Sequence, residues 1–187
     1  ARNFDIATNN DFYTTANLES VETLVINAPG LIQVGTLTTT DTEIGADILL
    51  TAGSTINAGD VTATGKVDAL AKGDINFANV IGTPIIIDST GGWVITGSLT
   101  ANGDTIDVTA GGSIYTAAAS ADMIDMYAGD NIDVGNLTEA LYHVGLDDGG
   151  FVHSVNIDAG RADPSTDVGE LETGQNVAHG LRDPTST

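Results

Sequence analysis

Cysteine is absent from this chain of 187 residues, which excludes disulfides and thiolate metal sites. The lack suits cytosolic proteins and equally bacterial surface proteins exported unfolded, so it fixes no compartment. Basic residues are scarce: 5 Lys and Arg stand against 26 Asp and Glu, a formal charge of −21. Such a chain repels nucleic-acid phosphates and anionic lipid, which argues against both as partners. Cations, high salt or a calcium-rich setting suit it, and so does a plain solubility role for the charge. No run of about 18 apolar residues exists, so no helix of this sequence spans a bilayer. No segment keeps a 3.6-residue apolar period, because glycine and threonine break every window. The chain opens at Ala1 rather than Met, so a processed or excised piece is expected, with any targeting segment out of view.

What the sequence does contain is a repeat. IDVTAGG at 106–112 returns as IDMYAGD at 124–130 and, more loosely, as IDSTGG at 87–92. Corner positions fall at Asn9, Pro29, Gly53, Lys72, Gly91, Gly111, Gly129 and Gly149, spaced by 20, 24, 19, 19, 20, 18 and 20. Three residues past each corner stand Phe12, Ile32, Ile56, Ile75, Val94, Ile114, Ile132 and Val152, all apolar. Eight past it stand Asn17, Leu37, Val61, Val80, Leu99, Ala119, Leu137 and Ile157, where only Asn17 fails. About five before it stand Phe4, Leu24, Ile48, Val67, Ile87, Ile106, Ile124 and Val144, if one residue is deleted before Gly91. With 41% apolar residues, one all-apolar column of eight has a chance of about one in a thousand.

Within each unit the apolar positions alternate with period two, and the columns favour β-branched residues, as strands require. Glycine at the corners supplies the conformations tight turns need. Three short strands and small-residue corners in about nineteen residues make one coil of a solenoid. The expected fold is therefore all-β: a right-handed parallel β-helix of about eight coils of 18–20 residues, a rod about 38 Å long. It should occupy residues 1–157, with Thr38–Gly45 bulging as a surface loop. Residues 158–187 read as an acidic, Gly- and Pro-containing tail, either a linker or a degenerate ninth coil.

Units of this kind, as in LTAGSTINAGDVTA (50–63) and YAGDNIDVGNLTEA (127–140), resemble the repeat region of filamentous haemagglutinin-like adhesins. Autotransporter passenger domains are similar in the same way. The resemblance covers about residues 4–157 and implies a secreted, rod-like bacterial surface protein used for adhesion, biofilm or assembly. The asparagine-rich motifs of the two-partner secretion domain are missing, which suggests an internal segment.

Three outward features are candidates for function. The second position of the first strand holds Asp68, Asp88, Asp107 and Asp125 in four consecutive coils, by the alignment above. Like charges stacked rung on rung repel, so a cation or a basic partner face is expected to offset them. Calcium, which takes carboxylate oxygens, is the candidate stabiliser. The competing reading is a solvated ladder that discourages sheet-on-sheet aggregation. The strict GGxGxD calcium repeat is absent.

A second ladder pairs Thr36/Thr38, Asp60/Thr62, Ser98/Thr100, Ala118/Ser120 and Asn136/Thr138, interrupted at Asn79–Ile81. It resembles ice-binding solenoids in part, though outward threonine simply suits strands. The third feature is aromatic. Tyr13, Trp93, Tyr115 and Phe151 point outward on the second strand, with Trp93 diagonal to Tyr115 on the adjacent coil. Trp93, Tyr115 and Phe151 mark a ligand or partner face for sugar rings or a neighbouring protein.

Parallel β-helices also include polysaccharide lyases and hydrolases. A lyase needs a basic residue at the bound sugar, and the whole stock here is Arg2, Lys66, Lys72, Arg161 and Arg182. A hydrolase needs paired carboxylates in a cleft, whereas the aspartates should lie on a flat face. His143, His153 and His179 show no metal-ligand or Ser–Asp pattern. The sequence thus reads as a non-enzymatic structural or adhesive segment of an exported cell-surface fibre, array or adhesin. It would self-associate or continue a longer solenoid. The alternatives are a carbohydrate-binding or polysaccharide-cleaving β-helix and an ice-binding solenoid.

Overall fold

A computed structural model describes residues 2–42, 45–138, 141–146 and 151–157; beyond residue 136 it is described as backbone only. Among these residues every regular element is a strand. The strands fall on three faces, and each pairs in parallel with its equivalent one coil away.

The first face is built from Phe4–Ala7, Leu24–Ala28, Ile48–Ala52, Val67–Ala71, Ile85–Ser89, residues 105–110, residues 123–128 and Leu141–Leu146. These are joined by seven successive pairings. The result is a parallel β-solenoid of about seven turns, slightly fewer than the eight expected. Seven steps of ~4.8 Å make the stack about 34 Å long.

The core is the set of inward columns. Ile32, Ile56, Ile75, Val94, Ile114 and Ile132 stack in register on the second face and are fully buried. Leu37, Val61, Val80, Leu99 and Ala119 do the same on the third face. On the first face the inward triplets read Leu24–Ile26–Ala28, Ile48–Leu50–Ala52, Val67–Ala69–Ala71 and Ile106–Val108–Ala110, all buried. Large residues fill the middle of the triangle, and alanine takes the third position where the chain turns. Each fully buried Ile, Leu or Val stabilises the fold by about 1.5–3 kcal/mol.

The second-strand column forms as the spacing expects. The third-strand column does too, and its one exception disappears. Leu18, not Asn17, pairs with Leu37, because the first coil carries one more residue before that strand. The first-strand column needs correction in two coils. Val67 pairs with Ile85 rather than Ile87, and Ile85 in turn with Ile106. Ile124 pairs with Tyr142 rather than Val144. In the first case the odd residue lies in the following corner: Ser89 to Val94 takes five steps, whereas Ala110 to Ile114 takes four. Ser89 ties that larger corner, its Oγ donating to the Gly73 carbonyl (2.8 Å) and accepting from the Gly92 N–H (3.0 Å).

The extra residues of the second coil do fall between Thr39 and Ile48, which takes nine steps where Ser20 to Leu24 takes four. Thr39 is buried there, its Oγ1 donating to the Ala46 carbonyl (2.6 Å), and Thr64 Oγ1 donates to the Asp41 carbonyl. A second insertion protrudes at 102–104, where the pairing shifts register between Ala101 and Thr105. The expected tail, 158–187, lies outside the described residues.

Candidate functional site

The register decides which outward side chains meet. On the first face one outward column runs Asp5, Val25, Leu49, Asp68, Ile86, Asp107, Asp125 and, by backbone position, His143. The neighbouring column runs Ala7, Asn27, Thr51, Leu70, Asp88, Thr109 and Tyr127. The expected file Asp68–Asp88–Asp107–Asp125 is therefore not formed. Asp88 stands opposite Leu70 and Thr109, and Ile86 separates Asp68 from Asp107. Only Asp107 and Asp125 face each other directly. Burial, then Asp125, then Asp88 raise the Asp107 carboxyl above its ordinary 3.8, so Asp88 is still close enough to be felt. Asp68 pairs instead with Lys66, whose Nζ donates to Asp68 Oδ2 at 2.9 Å.

Calcium takes 6–8 oxygen ligands. Among the described residues no three His, Asp or Glu side chains converge in that way. What the first face offers is one repelling pair with a third carboxylate nearby.

Three other acids and one asparagine have a structural task that spacing alone did not reveal. The Leu31 N–H donates to Asp11 Oδ1 (2.9 Å), that of Thr36 to Asn17 Oδ1 (3.1 Å), that of Lys66 to Asp47 Oδ1 (2.8 Å) and that of Trp93 to Asp74 Oδ1 (2.9 Å). Each acceptor sits just before the first inward residue of a strand, and each donor is the same position one coil on. At a corner the backbone leaves the strand ladder, and a short side-chain oxygen replaces the lost partner. The local signal was an Asp or Asn followed by an apolar residue: Asp11–Phe12, Asn17–Leu18, Asp47–Ile48 and Asp74–Ile75.

On the third face the threonine file exists as one column: Glu19, Thr38, Thr62, Ile81, Thr100, Ser120 and Thr138. Ile81 interrupts it, as the sequence implied. Beside it Asn79 Nδ2 donates to Asp60 Oδ1 (2.8 Å) and Ser98 Oγ to Asn79 Oδ1 (2.7 Å), a bonded side-chain ladder across three coils.

The second face brings the aromatics together. Tyr115 stacks in register on Ile95, and Trp93, two residues before Ile95, reaches it diagonally. The ring centroids lie 6.1 Å apart at 63°, an edge-on pair of a favourable kind. Trp93 is 48% exposed and Ile95 40%. The indole is seated on Gly112 of the next coil, where any Cβ would run into the ring. Its backbone is pinned by Asp74. Phe151 is not part of this pair: its backbone is paired with that of Asn131, in the corner position that Trp93 takes three coils earlier. The described column continues through Tyr13, Gln33, Asn57 and Asn76, and Asn76 Nδ2 donates to Asn57 Oδ1 at 2.8 Å.

Among the described residues no helix is long and apolar enough to cross a membrane. Lys66 is engaged with Asp68, and Lys72 is exposed at a corner. Comparison of the chain with protein-family models, curated proteins and solved structures finds no match.

Proposed function

We propose that this chain is a non-enzymatic structural or adhesive segment of an exported bacterial cell-surface fibre, array or adhesin. The observation that carries the reading is the parallel stacking of strand on equivalent strand, coil after coil among the described residues, around a mostly apolar core. The chain spends its residues on a stiff, regular rod. Three aspartates and Asn17 support the same reading, since at the corners they serve the backbone rather than converge on a point. Self-association uses the flat ladder faces, and calcium acts as a counter-ion at Asp107 and Asp125.

Electron microscopy of the purified protein, with and without a chelator, tests this reading together with fractionation of cells making the full-length protein. Surface exposure with fibres, sheets or regular rod contacts supports it. Cytoplasmic retention with isolated particles in every condition sinks it.

The half-exposed Trp93–Tyr115 pair favours a second reading, in which the second face binds carbohydrate. Carbohydrate binding unaffected by Trp93→Ala removes that site. Cleavage of a bound polysaccharide by the purified protein overturns the non-enzymatic reading.

A further inference from the structure

We infer that the second face is a docking track for an uncharged, extended polysaccharide lying along the solenoid axis; the inference rests on reading this face as a carbohydrate contact. Three independent features converge on it.

The first is charge. In a chain of net charge −21, the outward column Tyr13–Gln33–Asn57–Asn76–Ile95–Tyr115 holds no ionisable carboxylate or ammonium across six coils. Asp133 closes it on the next coil. Two acids flank the strip at the corner, and both are committed: Asp11 to the Leu31 N–H and Asp74 to the Trp93 N–H. The surrounding negative field repels sulfated sugars and uronic acids, while the strip itself suits a neutral chain.

The second is chemistry. Sugar rings present apolar C–H faces and an equatorial rim of hydroxyls. Trp93 and Tyr115 offer aromatic surface for the former. For the latter, a side-chain amide carries two N–H donors and a carbonyl acceptor. The Asn57–Asn76 bond uses one of those donors and one lone pair, leaving both amides capacity for hydroxyls. Tyr13, 71% exposed, adds a third aromatic at the far end.

The third is shape. The corner beside the strip is made of Gly35, Gly59, Ala78, Gly97 and Ala117, so no side chain walls it off. From Tyr13 to Tyr115 the strip runs five rungs, about 24 Å, which suits several sugars end to end rather than one. Trp93 is held ready by Asp74, by its seat on Gly112 and by Tyr115, so little ordering is left to be done on binding.

The test is titration of the whole chain with chitohexaose and cellohexaose against hexagalacturonate, in wild type and in Trp93→Ala and Asn76→Asp. Asn76→Asp is isosteric and adds one negative charge to the middle of the strip, and thermal melting checks that it folds. The expected result is at least tenfold tighter binding of a neutral hexamer than of the anionic one. Trp93→Ala should weaken neutral binding tenfold or more, and Asn76→Asp severalfold at unchanged melting temperature. Equal or tighter binding of hexagalacturonate, or neutral binding indifferent to both substitutions, overturns the track. Self-association lost in Trp93→Ala without any sugar present assigns the face to a second copy and overturns it too. Absence of binding to all three hexamers overturns the carbohydrate reading itself.

Discussion

Asp107 and Asp125 stand directly opposite one another on adjacent coils, with Asp88 one coil back and two residues along. Burial first, then Asp125 and Asp88, raise the Asp107 carboxyl above 3.8. Its folded form therefore holds a proton more readily than its unfolded form. Stability from this group is greatest below about 3.8 and falls as pH rises through the raised folded value, so at neutral pH the penalty is complete. Asp107→Asn removes the penalty. At pH 7 it should gain several tenths of a kcal/mol, up to about 1, and the gain should vanish in acid. Urea unfolding of both proteins from pH 3 to pH 7 measures it; a loss of stability at pH 7 would show that the carboxylate is wanted there.

Calcium should relieve the same repulsion. Two or three partly exposed carboxylates make a weak partner, so the effect is expected only near millimolar calcium. Melting temperature should then rise by a few degrees in wild type and stay flat in Asp107→Asn. A wild-type melting temperature indifferent to calcium and chelator would end any stabilising role for the ion.

The first-face column shows where sequence reading stops. Both misplaced coils are displaced by two residues, Ile87 for Ile85 and Val144 for Tyr142. An even slip leaves every inward residue inward, so hydrophobic alternation, which punishes a one-residue slip, says nothing against it. The run Ile85–Ile86–Ile87 fits either register. What decides is the size of the corner at Thr90–Gly92, which Ser89 stabilises from inside, and no period of the sequence reports that. The second-face column had no such ambiguity, and its aromatic diagonal was legible for the same reason. The corner clasps were written in the sequence as Asp or Asn before an apolar residue. They are invisible to a search for functional acids, because their partners are backbone N–H groups nineteen or twenty residues away.

Those clasps should be measurable. Asp74→Ala leaves the Trp93 N–H without its acceptor, at an exposed corner where water partly replaces it, so the cost should be about 1 kcal/mol. Asp74→Asn keeps the oxygen and should cost under about half as much. Trp93 fluorescence reports the same event: it should shift in the alanine variant and not in the asparagine one. Equal costs would mean that charge rather than the hydrogen bond is what matters.

Two glycines should fail for different reasons. A Cβ on Gly53 would run into the Pro29 carbonyl of the preceding coil, backbone that cannot swing aside. Gly53→Ala should cost about 1–3 kcal/mol by forcing two coils apart. Gly103 has nothing within 4 Å of a built Cβ but sits at φ +73°. Gly103→Ala should cost about 1 kcal/mol through backbone strain alone, and Gly103→Asn should recover part of it. Denaturation midpoints of the three variants separate crowding from strain.

The pair with the sharpest expectation lies inside the rod. Thr96 and Thr116 point inward where their neighbours in the column are apolar, both 5% exposed. Thr96 Oγ1 donates to Thr116 Oγ1 at 2.7 Å, and Thr116 Oγ1 donates onward to the Ala118 carbonyl at 3.3 Å. Valine has nearly the shape of threonine, so each substitution removes little but the hydroxyl. Thr96→Val leaves Thr116 with its own acceptor and should cost under about 1 kcal/mol. Thr116→Val strands a buried donor on Thr96 and should cost about 1–3 kcal/mol. The double variant should be more stable than Thr116→Val alone, because no orphaned hydroxyl remains, and its cost less the sum of the two single costs is the coupling energy of the pair. Thermal or urea unfolding of the four proteins closes the cycle. If Thr96→Val proves the costlier single change, the proton between the two oxygens runs the other way, from Thr116 to Thr96.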